Sequence, residues 1–171
     1  ASTDVIGISF SGSAGANVIE RNFIHSLSNA STDNTAVING IYAASGTATY
    51  YNNIISLGPV TSGALMFGIS DLGGTNSILH NTVSLTGFAG GGVQDAALYT
   101  TNTSASDIRD NIFYNARTGA PAHHAYNVTA AGPVLNYNTY FGLQTGVAGG
   151  ANSQAIDPLF PNAAGTTAPD L

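Results

Sequence analysis

The chain has 171 residues, of which 43% are hydrophobic and only 7% are charged, and this composition suits one folded domain. The chain contains nine acidic residues, three arginines and no lysine, which gives a net charge of −6. No basic surface can form, which excludes binding to nucleic-acid phosphates and disfavours anionic membranes. The absence of cysteine excludes a disulfide scaffold and thiolate metal sites.

One pattern recurs from the start of the chain towards its end. An apolar residue is followed three positions later by an asparagine, and another apolar residue comes two positions after that. Successive asparagines are 31, 28, 30 and 27 residues apart. A near-constant period in this range is typical of stacked repeats, in which each unit buries its apolar face against the next. The five asparagines are Asn22, Asn53, Asn81, Asn111 and Asn138.

The choice of asparagine has a physical reason. Its short amide tolerates left-handed backbone and bonds to nearby main-chain groups, which suits a tight turn between two strands. Strands stack about 4.8 Å apart, so amides in successive repeats can donate and accept hydrogen bonds along a continuous ladder. We therefore predict an asparagine ladder at one corner of the repeat.

A second column of short segments precedes the asparagines. In each segment a small residue is followed by an apolar residue and usually by a polar one, and the apolar residue lies 12 to 14 positions before the asparagine. This alternation predicts a short strand with one buried face. Each period therefore holds two or three strands and no helix. The segments are Gly7–Phe10, Gly40–Tyr42, Gly68–Ser70, Ala97–Tyr99 and Ala125–Asn127.

These repeats resemble the right-handed parallel β-helix of the pectin-lyase-like superfamily, especially its secreted bacterial members. The resemblance implies an all-β solenoid of about five to six coils over residues 1–143, with longer loops on one side. Residues 144–171 are expected to be irregular, and Asp157–Phe160 resembles the D-P-L-F segment that often follows the last coil. The fold hosts lyases, hydrolases, adhesins and structural stalks, so it does not specify an activity. The chain is expected to be a segment of a longer protein, or a product whose ends are covered.

Alignment of the repeats gives one weak candidate for catalysis. His80 and Asp110 directly precede ladder asparagines in successive coils, so we expect them to be neighbours, with Arg109 close by. A histidine beside a carboxylate can act as a general base. The alternative is an exposed ion pair worth on the order of 0–1 kcal/mol.

The sequence gives little support for a metal or a cofactor. Adjacent histidines such as His123 and His124 do not readily face one metal, and no carboxylate is near them in sequence. Asp107 and Asp110 could bind calcium weakly if a turn brought both outward. Gly90–Asp95 is a single imperfect copy of a calcium-binding repeat. The resemblance implies arginine or lysine bases in lyases, for which Arg109 and Arg117 remain. Among hydrolases it implies clustered carboxylates, and no cluster is evident in the sequence.

Exposed aromatic residues suggest glycan binding instead. One interpretation is a sugar-stacking strip along the solenoid; the alternative is that some of these rings pack in the core. The leading hypothesis is a non-catalytic structural or adhesive segment at the cell surface or outside the cell. A carbohydrate-active enzyme is the alternative, and uncapped ends would also permit end-to-end self-association. The candidate aromatic residues are Tyr51, Tyr99, Tyr114 and Tyr137.

Overall fold

The computed structural model describes residues 3–12, 15–31, 33, 35–58, 64–89, 94–119 and 122–163. Within these ranges the chain consists of short strands and turns, and it contains no helix. The strands are β1 (Val5–Ser11), β2 (Asn17–Glu20), β3 (Phe23–His25), β4 (Val37–Ser45), β5 (Ala48–Tyr51), β6 (Ile54–Leu57), β7 (Leu65–Asp71), β8 (Ser77–Leu79), β9 (Thr82–Leu85), β10 (Phe88–Ala89), β11 (Asp95–Thr100), β12 (Asp107–Arg109), β13 (Ile112–Asn115), β14 (Thr118–Gly119), β15 (His123–Val128), β16 (Val134–Asn136), β17 (Thr139–Phe141), β18 (Leu143–Thr145) and β19 (Gln154–Ala155).

Three parallel sheets form the walls of a solenoid. Sheet A has the order β1-β4-β7-β11-β15-β18, sheet B the order β2-β5-β8-β12-β16, and sheet C the order β3-β6-β9-β13-β17-β19. Each of the first five coils contributes one strand to each sheet, β18 and β19 add a further strand to sheets A and C, and β10 and β14 form a small additional pair. The predicted parallel β-helix is therefore confirmed. The solenoid makes about four turns, slightly fewer than the five to six predicted.

The column of short segments predicted from the sequence forms the inner rows of sheet A. Ile41 is opposite both Ile8 and Ile69, and Leu98 is opposite Ile69 and Tyr126. Ile41, Ile69 and Leu98 are fully buried. Full burial of one such side chain contributes roughly 1.5–3 kcal/mol, so the stacked rows supply the cohesion that a single coil lacks.

Where the small residue of these segments is a glycine, it permits a close approach between coils. A Cβ atom on Gly40 would lie 2.6 Å from the carbonyl oxygen of Gly68, and one on Gly68 would lie 2.6 Å from that of Ala97. Real Cβ atoms do not approach backbone oxygen so closely. Glycine at Gly40 and Gly68 therefore lets the coils come together at this point of sheet A.

The predicted asparagine ladder is present at the corner between sheets B and C. Each of the first four asparagines donates from Nδ2 to Oδ1 of the asparagine in the next coil, over 2.9, 2.9, 3.0 and 2.9 Å. Its main-chain N–H donates to the same oxygen, over 3.1, 3.0, 2.8 and 2.9 Å. Four of the five are almost fully buried, and Asn22 at the end is half-buried. The ladder thus pairs polar groups that would otherwise be unsatisfied inside the solenoid.

The left-handed backbone lies one residue earlier than predicted. The residue that precedes each ladder asparagine has φ between 52° and 59°, whereas no ladder asparagine has a positive φ. The preceding residue makes the sharp turn, and this leaves the asparagine side chain directed inwards to its neighbours. Non-glycine residues in this region carry a cost of about 1–2 kcal/mol, which the ladder bonds offset. The turn residues are Arg21, Asn52, His80, Asp110 and Tyr137.

In the first four coils the longest connection leads from sheet C to the next strand of sheet A, whereas after β18 the long connection leads from sheet A to β19 in sheet C. At the other end of the chain, β18 and β19 extend sheets A and C beyond residue 143. The segment after them folds back onto sheet C. There Phe160 packs edge-on against Tyr114 with ring centroids 5.3 Å apart, whereas Leu159 is 79% exposed.

Candidate functional site

The predicted neighbours His80 and Asp110 do lie side by side, but their contact is loose. His80 Nε2 is 3.9 Å from Asp110 Oδ2, and the two side chains are 52% and 41% exposed. This distance is too long for a hydrogen bond, so the carboxylate does not orient the imidazole. Arg109 pairs with Asp107 instead, at 3.0 Å. Asp107 and Asp110 therefore have different partners in the structure.

The five turn residues form an exposed row along the solenoid, which we call the corner strip: Arg21, Asn52, His80, Asp110 and Tyr137. All five are exposed, because the left-handed turn directs their side chains outwards. Tyr51 borders the strip and packs edge-on against His80, with ring centroids 5.4 Å apart. At the first two coils, an open groove lies beside the strip and is lined by Arg21, Asn22, Phe23, Asn52 and Ile54.

The four candidate tyrosines do not form one strip, because they are on different walls. Tyr99 lies in sheet A and stacks on Phe67, with centroids 4.6 Å apart. Tyr114 lies in sheet C and stacks on Phe141 at 4.8 Å. Only Tyr51 and Tyr137 adjoin the same corner, and Tyr137 is 54% exposed.

The structure brings together a buried cluster that the sequence analysis missed. Asp95 begins β11 and is directly opposite His123 in β15. The Asp95 carboxylate lies 3.0 Å from His123 Nδ1, accepts a 2.6 Å hydrogen bond from Asn115 Nδ2, and lies 3.4 Å from Arg117 Nε. The side chains of Asp95 and Arg117 are completely buried, and that of His123 is 15% exposed.

Both ring nitrogens of His123 have an oxygen atom close by. Nδ1 faces the Asp95 carboxylate, and Nε2 lies 3.3 Å from the main-chain oxygen of Gly119. These two contacts orient the imidazole ring.

Arg117 is incompletely paired despite its burial. Nη2 donates to the main-chain oxygen of Phe88 at 3.1 Å, whereas Nη1 is buried and has no hydrogen-bond partner among the described residues. Burial lowers the pKa of the Arg117 guanidinium, and the neighbouring Asp95 carboxylate opposes that shift. A buried pair of this kind is costly to break, because the remaining charge would be left uncompensated.

His124 faces away from this cluster, as alternation along a strand requires. Nε2 lies 3.2 Å from Gln94 Nε2, and Nδ1 lies 3.2 Å from Thr145 Oγ1. Burial lowers the pKa of His124, with a smaller lowering from His123 and an opposing effect from Asp95. The described residues contain no group of three or more histidine, aspartate or glutamate side chains that could hold a metal ion. Residues 90–93 of the glycine-rich segment lie outside the described residues.

A second buried carboxylate, Asp71, stabilises the turn between sheets A and B. Its oxygens accept hydrogen bonds from Asn76 Nδ2 at 2.7 Å and from Asn102 Nδ2 at 3.0 and 3.2 Å. Burial raises the pKa of Asp71, and these hydrogen bonds oppose the shift. The same amides donate to the main-chain oxygens of Gly73 and Gly74, so the group holds the turn together.

The comparisons add no family assignment. No helix in the described part of the chain is long and apolar enough to cross a membrane. The chain matches no family model, no curated protein and no solved structure. The geometry of its own residues is therefore the basis for any functional conclusion.

Proposed function

We propose that the chain is a structural or adhesive segment of a secreted or cell-surface bacterial β-helix protein of the pectin-lyase-like type, and that it contacts glycans through the corner strip. The observation that carries this proposal is the division of polar groups between inside and outside. The buried asparagines bond to one another and tie the coils into a stiff rod. The polar groups of the strip point to solvent and bond weakly to each other.

The chemistry of the strip suits a sugar chain. Guanidinium, amide, imidazole and carboxylate groups can donate to and accept from sugar hydroxyls. Tyr51 and Tyr137 add aromatic rings, which combine apolar faces with a polar hydroxyl. The groove beside Arg21 and Asn52 provides a concave end to the strip. The proposal requires no cofactor.

Binding to a panel of pectins, alginate and host glycans tests the proposal. We expect the wild-type chain to retain at least one class of glycan. Tyr137→Ala should weaken this binding, whereas Ile156→Ala, which removes an equally exposed apolar side chain away from the strip, should not. Failure to bind any glycan, or equal binding by both variants, would contradict the role given to the strip.

The second candidate is a carbohydrate-active enzyme, and the observation in its favour is the partly exposed imidazole of His123, which lies beside the buried Asp95 carboxylate. A carboxylate beside an imidazole and an arginine is a combination that acid–base catalysis uses. New reducing or unsaturated ends after incubation with the same polysaccharides would support this function. If the Asp95→Asn variant produced no such ends while its circular dichroism spectrum stayed unchanged, the activity would be assigned to the cluster, and this function would replace the first proposal.

A further inference from the structure

Sheet B presents a continuous outer face along the side of the solenoid. The last residue of each of its strands points outwards, because the residue before it packs in the core. These last residues are opposite one another in register and form the strand-end column, and the corner strip runs beside it one residue later. No side chain of either column is buried. The strand-end column consists of Glu20, Tyr51, Leu79, Arg109 and Asn136.

The charges on this face are arranged in two pairs of opposite order. In the first coil, Glu20 lies in the strand-end column and Arg21 in the strip, whereas in the fourth coil Arg109 lies in the column and Asp110 in the strip. Within each column the sign of the charge therefore reverses between the first and the fourth coil. Both exposed arginines are on this face, because the side chain of the third, Arg117, is fully buried.

A second copy of the chain complements this face when its coils run in the opposite direction. A two-fold axis that lies between the second and third coils, parallel to the strands, sets the first coil of one copy against the fourth coil of the other. Each column then faces itself in reverse order, as an isologous contact requires. Glu20 meets Arg109 of the second copy, and Arg21 meets Asp110 of the second copy. Each of these ion pairs occurs twice in such a dimer.

The two middle coils add contacts that carry no like charges. Tyr51 meets Leu79 of the second copy, and both side chains are half-buried in the single chain, so their apolar surface gains a cover. Asn52 meets His80 of the second copy, and an amide and an imidazole can share a hydrogen bond. Arg109 already pairs with Asp107 of its own coil at 3.0 Å, but the five donors of a guanidinium allow a second carboxylate.

The opposite orientation makes a smaller contact. If the coils of both copies ran in the same direction, the strip of one copy would face the strand-end column of the other, and Arg21 would meet Glu20. Beyond the strip the chain turns inwards to the ladder asparagines, so nothing would face the rest of sheet B. Pairing with reversed coils instead uses the whole width of the face.

We propose that the sheet B face is a self-association surface, on which two copies of this chain pair with their coils in opposite directions. The four paired coils extend roughly 20 Å along the axis at about 4.8 Å per coil, so the interface is small and the dimer should be weak and reversible. The pairing does not depend on glycan binding. It covers the strip in the first four coils, where a bound glycan would compete, and it leaves Tyr137 of the fifth coil outside.

Exchange of charges between the two copies tests the pairing. Arg21→Asp and Asp110→Arg place at each corner a residue type that already adopts the left-handed turn at another corner. Either variant alone sets like charges together twice, so its dissociation constant in sedimentation should rise by about tenfold or more relative to wild type. An equimolar mixture should recover wild-type association, because the introduced aspartate meets the introduced arginine and the native pair remains. Glu20→Arg and Arg109→Glu provide a second, independent pair of variants, and circular dichroism checks that each variant folds.

Three results would overturn the proposal. The first is a wild-type chain that stays monomeric up to about 1 mM. The second is association that the single charge reversals leave unchanged. The third is loss of association in the single variants without recovery in the mixture, which coils running in the same direction would produce. Tyr137→Ala is the control and should associate like wild type, so this proposal and the glycan proposal can fail separately.

Discussion

The central rung of the ladder offers the sharpest test of what holds the coils together. Asn81→Ala removes the acceptor of the main-chain N–H of Asn53, which is 3.0 Å away and buried. It also removes the Nδ2 bonds to Tyr50 O at 2.9 Å and to Asn111 Oδ1 at 3.0 Å. Each buried group left unpaired costs about 1–3 kcal/mol, so we expect a loss on the order of 3–5 kcal/mol in the free energy of unfolding. For a chain of this size the midpoint temperature of thermal unfolding should fall by roughly 6–20 °C.

Substitutions at two other positions provide smaller expected losses for comparison. Asn22→Ala removes Nδ2 bonds to Asn53 Oδ1 at 2.9 Å and to Glu20 O at 3.1 Å. No described N–H loses its acceptor, and the site is half-buried, so the cost should be about 1 kcal/mol. Asn52→Gly changes the residue beside the ladder, where φ is 52° and the side chain is exposed. Glycine adopts this conformation readily, so the change should stay within about 0.5 kcal/mol.

Urea and thermal unfolding followed by circular dichroism measure all three variants. The reasoning requires the loss for Asn81→Ala to exceed that for Asn22→Ala by about 2 kcal/mol or more. Equal losses at the two positions would refute it, because burial and the orphaned N–H would then have no measurable effect.

Other predictions concern the buried acids and one turn. Burial raises the pKa of Asp71 above its ordinary 3.8, so its contribution to stability is fully present below that value and is lost as pH rises through the folded-state pKa. As the pH is raised from 4 to 7, the urea midpoint of the wild type should therefore fall relative to that of Asp71→Asn. Asp95→Ala leaves a buried guanidinium unpaired and should lower the free energy of unfolding by about 3–5 kcal/mol in the same assay. Gly74 has a φ of 89°, and a Cβ atom there would lie 1.4 Å from the carbonyl oxygen of Gly46, so Gly74→Ala should prevent folding. Gly73→Ala is the control and should fold, because the atom nearest to a Cβ at Gly73 is 3.1 Å away.

The fold could be predicted because the repeat is a direct consequence of its hydrogen bonds. Asn81 Nδ2 donates to the main-chain oxygen of Tyr50, the apolar residue three positions before the asparagine of the preceding coil. Asn111 makes the equivalent bond to Ile78. The same residues that form the motif thus form the contact, and the period in sequence equals one turn in space.

The turn was predicted one residue late because local preference is overridden there. Left-handed backbone favours glycine and asparagine, yet arginine, histidine, aspartate and tyrosine adopt it at four of the five corners. The stacked asparagines fix the path of the chain, and the preceding residue must follow it. Sequence preference at a single position does not contain this tertiary constraint.

The cluster around Asp95 was missed for a different reason. His123 follows Asp95 by 28 residues, which is one period, so alignment at the start of the sheet A strands would have placed them together. Arg117 is not in that alignment, since it reaches Asp95 from the connection between sheets C and A. The tyrosines show the same difficulty, because a shift of a few residues within the period moves a ring from one wall to another.

The direction of the ladder bonds has a mechanical consequence. Bonds between coils run along the solenoid axis, so tension applied along that axis loads the successive interfaces in series, while the bonds within one interface share the load. The weakest interface should open first, and each released coil of about 28 residues would lengthen the chain by roughly 90–100 Å at 3.3–3.6 Å per residue. A rod of this construction resists bending, because every wall is a continuous sheet, but under axial pull it extends in steps of one coil.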